Sequence, residues 1–377
     1  MKLSPMPLVV TGADAFTHLE RIVGGFEGHR LFVVTGPHVA QTAPFGRVRE
    51  VLASKGREVM VFDRVTPDPS IELVCEASRE AKEFGAEVVV GIGGGSPLDS
   101  AKIVSASLGN SQGVETFLGV DQVPRPGAPL IAIPTTSGTG SEVTNISILT
   151  DVAAQMKVAV VSDHILPRVA ILIPEMTMGM PPVVTAATGM DALCHAAESY
   201  LSVRRNPYSD ALALKALRLI GTHLVCAYRN PSDGVAREGM QLAALLAGLS
   251  FTNSSVTAVH AFSYPLGGAF HVPHGLANSL MVESVFRHNL SVAGDRMADL
   301  AEALVGVRDP SELLGGIRKL RTDLELPLSL REVGIPESAI PEMAQNVLGV
   351  TRLLSVNPAP LLLEDAIRIF QEAYDGR

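Results

Sequence analysis

The hydrophobic period of this 377-residue chain changes once, at Met180-Pro181-Pro182, and that change limits the architectures open to it. Before it, short β-branched runs alternate with helical ones. Leu31-Phe32-Val33-Val34 reads as a buried strand, closed by the turn Thr35-Gly36-Pro37. A helical run near 39–54, a strand over 58–62, a helix over 71–84 and a strand over 87–92 follow. Strands over 129–134, 158–161 and 169–173 continue the pattern. Such alternation predicts a parallel, doubly wound sheet with helices on both faces. Beyond Pro182 the period is helical, over 183–202, 209–227, 234–251, 255–266, 275–288, 293–305, 311–324 and 362–374. The expected fold is an α/β doubly wound domain over 1–180, of the kind that binds dinucleotides, and an all-α domain over 181–377, whose metal-binding character rests on its Asp and His residues.

Ligands of doubly wound sheets bind at the carboxyl ends of the strands. Gly93-Gly94-Gly95-Ser96-Pro97 falls there, after the strand over 87–92. Glycines let the backbone approach a phosphate, Ser96 suits a helix cap, and Pro97 suits the first turn of a helix over 97–107. That helix would aim its positive end at an anion such as a pyrophosphate. The alternative is an ordinary glycine-rich turn, with Asp99 and Lys102 as an exposed pair without a role. After the strand over 129–134, the run Thr135 to Thr144 carries six hydroxyl side chains in ten positions. Such a run suits hydrogen bonding to a diphosphate or ribose, or else a solvated loop.

In the helical half, Asp191 and His195 lie four residues apart among Ala, Leu, Met and Cys. At that spacing they project from one face of a buried helix. An ionised carboxylate there is costly unless a cation compensates, and a divalent metal would do so. The alternative is a buried Asp–His hydrogen bond or a helix cap. Residues 256–276 then hold His260, His271 and His274, three of the ten histidines in the chain. His260 closes an apolar helical run, Gly267-Gly268 breaks it, and Pro273-His274-Gly275 opens another helix. This turn can aim His260 and His274 at one point with Asp191 and His195. One carboxylate and three imidazoles suit Fe(II) or Zn(II), not Mg or Ca. His271 remains close by.

Composition narrows the alternatives. The chain is 47% hydrophobic and 18% charged, so most of it packs, and its net charge of −9 with no Lys/Arg block argues against a nucleic-acid partner. Cys75, Cys194 and Cys226 form neither a disulfide framework nor a CxxC site, which fits a cytoplasmic location. The first ten residues lack the apolar core of a signal peptide, and no uninterrupted apolar run reaches the ~18 residues of a membrane span.

Four motifs in this order resemble those of the iron-containing (group III) alcohol dehydrogenases, with their dehydroquinate-synthase-like fold. They are Gly91 through Lys102, Ile133 through Val143, Gly189 through His195, and His260 through Pro273-His274-Gly275. The resemblance implies an NAD(P)-dependent oxidoreductase with one Fe(II), or Zn(II) as the alternative. It maps metal ligands onto Asp191, His195, His260 and His274, and cofactor loops onto Gly93, Gly94, Gly95, Ser96, Asp99, Thr135, Thr136 and Thr139, with Lys157 near the ribose. It also implies a homodimer or larger oligomer. Two positions depart from the pattern. Many NAD-preferring members carry an Asp where this chain has Gly36, so NADP is admitted beside NAD; several carry a His where it has Tyr264.

The implied reaction interconverts a small primary alcohol and its aldehyde by hydride transfer, with the metal polarising the substrate oxygen. Tyr264 and His271 are the candidates for proton relay. Family position places Ile146, Phe251 and Leu353 in the substrate pocket, where apolar walls suit a short neutral substrate. An anionic aldehyde or oxo acid is the alternative if Arg204, Arg205 or Arg352 reaches the pocket, and this includes hydroxyacid–oxoacid transhydrogenation. A non-redox lyase of the same fold and a non-catalytic nucleotide sensor are more distant rivals.

Overall fold

The structure, a computed structural model, describes residues 3–12, 14–154 and 156–377. The chain divides into two compact units, one from Ser4 to Met180 and one from Pro181 to Arg377.

The first unit is built on β1 (Leu8–Thr11), α1 (Ala15–Gly24), β2 (Arg30–Thr35), α2 (Pro37–Ala40), α3 (Ala43–Leu52), β3 (Glu58–Phe62), α4 (Ile71–Phe84), β4 (Val88–Gly93) and α5 (Gly95–Gly109). It continues with β5 (Gly119–Val120), β6 (Leu130–Pro134), β7 (Ile146–Asp151), β8 (Met156–Val161) and β9 (Val169–Leu172). Six strands form one parallel sheet in the order β1-β9-β6-β4-β2-β3. Every residue of β4, β6 and β9 is buried, as expected of parallel strands covered on both faces. Strand order reverses between β2 and β4, whose ends pair as Thr35 with Ile92. A crevice at the carboxyl ends of strands, where the order reverses, is the usual ligand site of such sheets.

Several expectations need correction. Strand β1, helix α1 and β7 were not anticipated; β7 pairs antiparallel with β8 in a separate three-stranded sheet with β5. Helix α5 starts at Gly95 rather than Pro97, and Gly94 is its N-cap. Ser96 therefore lies inside the first turn, where its carbonyl accepts from Ser100 Oγ at 2.9 Å. With glycine at the cap, no side-chain hydrogen bond closes this N-terminus among the described residues.

The second unit is helical: α6 (Pro182–Leu201), α7 (Pro207–Arg229), α8 (Gly234–Thr252), α9 (Ala258–Phe270), α10 (His274–Val305), α11 (Pro310–Asp323), α12 (Ile340–Leu348), α13 (Thr351–Leu354) and α14 (Leu363–Asp375). Helix α6 is buried at every position from Gly189 to Leu201, and α7, α8, α9 and α10 pack against it. Helix α7 is long and apolar enough, by length and composition, to cross a membrane. Lys215 and Arg218 interrupt it, and Ala213, Ala216, Leu217, Ile220 and Leu224 face the core, as in the core helix of a globular unit.

The two helices expected over 275–288 and 293–305 are one, kinked at Ala293. Helix α9 runs through Gly267-Gly268, so His260 stands near its start rather than its end. Each of those glycines costs about 1 kcal/mol relative to alanine, which packing tolerates. The terminator is His271, in the left-handed region at φ 56°. The Gly275 backbone also approaches α6 closely: a Cβ there would lie 2.2 Å from the Ala187 carbonyl oxygen.

Candidate metal centre and phosphate loop

Helix α6 contributes Asp191 and His195 one turn apart, α9 contributes His260, and the first residue of α10 is His274. Asp191 Oδ1 is the hub. It lies 3.7 Å from His195 Nε2, 3.7 Å from His260 Nε2 and 3.6 Å from His274 Nε2. The rings of His195 and His260 are stacked with centroids 4.7 Å apart, and Phe251 stacks on the other side of His195 at 4.5 Å. Asp191, His195 and His260 are buried, whereas the His274 side chain is 41% exposed.

The donor set fits a transition-metal cation. With bonds of about 2.1 Å, tetrahedral ligand atoms stand roughly 3.4 Å from one another, close to the separations around Asp191 Oδ1. Burial opposes ionisation of Asp191, but the imidazoles of His195, His274 and His260 hold its carboxyl well below the usual range. The Asn278 amide nitrogen donates to Asp191 Oδ1 at 2.8 Å and lies 3.2 Å from His260 Nε2 and 3.3 Å from His274 Nε2. Its partner atom, Asn278 Oδ1, is buried with no hydrogen bond. A group of acceptor atoms with one neutral amide donor among them is suited to a cation.

Behind His260 stands Glu198, fully buried and two turns from Asp191 on the same helix. Its Oε2 is hydrogen-bonded to His260 Nδ1. Its Oε1 accepts from Thr257 N at 3.0 Å, Thr257 Oγ1 at 2.8 Å and Val259 N at 2.7 Å. Burial would lower the pKa of His260; Glu198 and Asp191 override it and raise it to about 9. Sequence reasoning passed over both Glu198 and Asn278. The available signal was spacing: Glu198 follows Asp191 by seven residues, and Asn278 follows His274 by four.

In the other unit, Gly93 at the end of β4 pairs with Pro134 at the end of β6, which brings the glycine loop against the threonine loop. Cβ atoms at Gly94 and Gly95 would meet Thr136 at 3.1 Å and Thr139 at 3.0 Å. The pair Asp99 and Lys102 is not exposed. Lys102 is fully buried, and its Nζ donates to Ile146 O at 2.6 Å, Ser141 Oγ at 2.7 Å and Thr144 Oγ1 at 3.0 Å. Asp99 Oδ1 accepts from Ser141 Oγ at 2.5 Å, and Oδ2 from Ile148 N at 2.9 Å. These bonds lock the two loops and β7 together, so the Asp and Lys that the sequence allows as an exposed pair are an internal clasp. Lys157 instead pairs with Asp68 at 2.6 Å on the surface.

The family profile described as iron-containing alcohol dehydrogenase matches residues 7–174, and the profile of its C-terminal part matches 185–374. The chain belongs to the iron-containing alcohol dehydrogenase family. It is thus an oxidoreductase by membership. Long-chain-alcohol dehydrogenase 1 of Geobacillus thermodenitrificans is 38% identical over 380 residues, covering 98% of this chain and 96% of the relative. The solved alcohol dehydrogenase from Oenococcus oeni superposes with a TM-score of 0.95 at 30% identity, covering 99% of this chain and 100% of that one. Sulfoacetaldehyde reductase from Bifidobacterium kashiwanohense, solved in complex with NAD+, gives 0.90 at 29% identity, with 99% of both chains covered.

Within this family frame, the remaining expected site residues scatter. Tyr264 lies one turn beyond His260 on α9 and is 38% exposed; burial raises its phenol above the ordinary value, against the opposing charge of Arg352. His271 is exposed at the end of α9. Phe251 stands against His195. Leu353 is fully buried in the apolar core of the helical unit. Ile146 lies in β7 of the other unit, where its carbonyl anchors Lys102.

Proposed function

We propose that this oxidoreductase interconverts a small primary alcohol and its aldehyde, with Fe(II) held by Asp191, His195, His260 and His274. The observation that carries the reading is the convergence of three imidazole nitrogens on the buried Asp191 Oδ1. Zn(II) satisfies the same donors. Bound there, the metal supplies a Lewis acid for the substrate oxygen, while a nicotinamide dinucleotide supplies the hydride exchange.

The chain's own residues do the rest. Phe251 covers His195 and keeps water from that side of the centre. The glycine loop and Thr135, Thr136 and Thr139 receive the diphosphate, supported by the uncapped start of α5 and by their mutual contact. Asp99 acts by holding this loop through Ser141 and Ile148 rather than by reaching out to the cofactor. Tyr264, one turn from His260, is the better placed of the two proton-relay candidates, because His271 serves as the exposed helix terminator.

The Bifidobacterium relative was solved in complex with NAD+, and we carry NAD over to this chain. We extend this to NADP, because Gly36 presents no carboxylate to repel a 2′-phosphate, and a Cβ there would lie 2.9 Å from the Val65 carbonyl oxygen. An anionic aldehyde is the second reading, favoured by Arg352 of α13, whose charge acts on Tyr264 of α9. A cytoplasmic homo-oligomer completes the proposal: the three cysteines are free, and β1 leaves a sheet edge with Leu8 exposed.

The test is anaerobic turnover of Fe(II)-loaded protein with NADH and NADPH against short neutral and anionic aldehydes. Cofactor oxidation that is lost on chelation and restored by metal supports the reading. No oxidation with any partner, despite bound metal and cofactor, sinks it in favour of lyase or transhydrogenase chemistry.

A further inference from the structure

Helix α9 lacks a cap of its own. Its N-cap residue, Thr257, makes no side-chain cap hydrogen bond to the helix. The orphan donors at this end are met from another helix: Glu198 Oε1 of α6 accepts from Thr257 N, Thr257 Oγ1 and Val259 N. The second oxygen of the same carboxylate bonds His260 Nδ1. One fully buried side chain thus fixes both the start of α9 and the ring of its third residue.

We infer that Glu198 is a positioning residue for the metal centre: with a cation bound, it keeps the one proton of His260 on Nδ1, so that Nε2, beside Asp191 Oδ1, is the atom offered to the metal. This rests on the metal-centre reading above. A carboxylate only accepts hydrogen bonds, so the imidazole facing Oε2 must donate from Nδ1. Its other nitrogen, 3.7 Å from Asp191 Oδ1, is then the ligand atom. Carboxylates in this relation to metal-bound imidazoles fix tautomer and orientation, and their loss costs about 10–100-fold in metal affinity or activity.

Glutamine separates this role from helix capping. In Glu198→Gln, Oε1 can still accept from Thr257 and Val259, which leaves the NH2 group facing His260 Nδ1. That nitrogen must then accept, and the proton moves to Nε2, where it blocks the ligand lone pair.

The experiment measures Zn(II) affinity by competition with a chromogenic chelator, with thermal midpoints recorded for the same proteins. Glu198→Gln is expected to bind Zn(II) about 10–100-fold more weakly. Thr257→Val removes the hydroxyl bond to Glu198 Oε1 but keeps the two backbone bonds to that oxygen and the bond from His260 to Oε2; it should lower the midpoint and leave affinity within about twofold. In the Zn(II)-loaded parent, the His260 Nδ1 proton should give a downfield NMR resonance that Glu198→Gln abolishes.

Wild-type affinity in Glu198→Gln, or an equal affinity loss in Thr257→Val, would overturn the proposal and leave Glu198 a helix cap. If the glutamine variant does not fold, Glu198→Asp decides: it keeps the charge but draws it back by one methylene, and unchanged affinity there refutes the positioning role. His260→Ala is the control for the underlying reading. If it loses Zn(II) while the Glu198 variants do not, only the present inference falls; if it binds Zn(II) fully, the metal-centre reading falls and this one with it.

Discussion

The side-chain amide of Asn278 donates to Asp191 Oδ1 at 2.8 Å, from the turn of α10 that follows His274. The same nitrogen lies within 3.3 Å of His260 Nε2 and His274 Nε2. Asn278 therefore supplies, without a metal, part of the positive potential that the acceptor cluster needs. A hydrogen bond to a charged group is worth about 1.5–3 kcal/mol. Asn278→Ala should lower the thermal midpoint of the metal-free protein by several degrees. Saturating metal should narrow that gap, because a cation replaces the missing donor. Midpoints measured with and without Zn(II) check this; a gap that metal leaves untouched would detach Asn278 from the centre.

The centre also depends on backbone proximity. Gly275 follows His274, and a Cβ on it would meet the Ala187 carbonyl oxygen at 2.2 Å and Asp191 Cβ at 3.3 Å. Gly275→Ala would push α10 away from α6 and carry His274 with it. Overpacking of this kind costs about 1–3 kcal/mol. The variant should bind metal more weakly than a surface control such as Gly315→Ala, where a Cβ meets nothing within 4 Å. Equal affinity in the two would show that the close approach does not set the ligand geometry.

How much of this was legible follows from what each residue needs in order to be recognised. Asp191 and His195 stand out because their own helix is otherwise apolar, and His260 and His274 because histidine is scarce. Glu198 and Asn278 are ordinary helical residues by themselves. They acquire a role only when α9 and α10 pack on α6, which no local pattern encodes. The same holds for Lys102: an Asp and a Lys three apart on a helix read as a solvated pair, and only β7 folding over α5 buries them. The buried strands β2, β4, β6 and β9 were readable because parallel strands need continuous apolar runs. Strand β7, ISILTD, alternates buried and half-buried positions and has no such signature.

Cofactor choice turns on Gly36, the N-cap of α2, directly after β2. Gly36→Asp would place a carboxylate there at the cost of moving the Val65 carbonyl, 2.9 Å from the new Cβ. Its charge would repel a 2′-phosphate and accept from a ribose hydroxyl. The ratio of kcat/KM for NADH to that for NADPH should rise at least roughly tenfold, equivalent to ~1.4 kcal/mol. Steady-state kinetics with both cofactors measure it; an unchanged ratio would move the adenosine ribose away from position 36.

Glu142 makes stability pH-dependent in a direction opposite to the usual carboxylate. It lies in the turn Ser141–Val143 and is 2% exposed. Burial raises its carboxyl from 4.5 to about 7, against the opposing pull of its own backbone N–H and of Lys102. The unfolded chain releases this proton near pH 4.5, whereas the folded chain holds it to about pH 7. Between those values the folded state binds more protons, so this group's contribution to stability falls as pH rises; it is fully present below the window and fully lost above it. At 1.36 kcal/mol per pKa unit, the loss is on the order of 3 kcal/mol. Glu142→Gln is neutral at every pH. It should flatten the decline in thermal midpoint between about pH 4.5 and 7, and melt above the parent at higher pH. A parent and variant that decline in parallel across the window would assign the slope to another group.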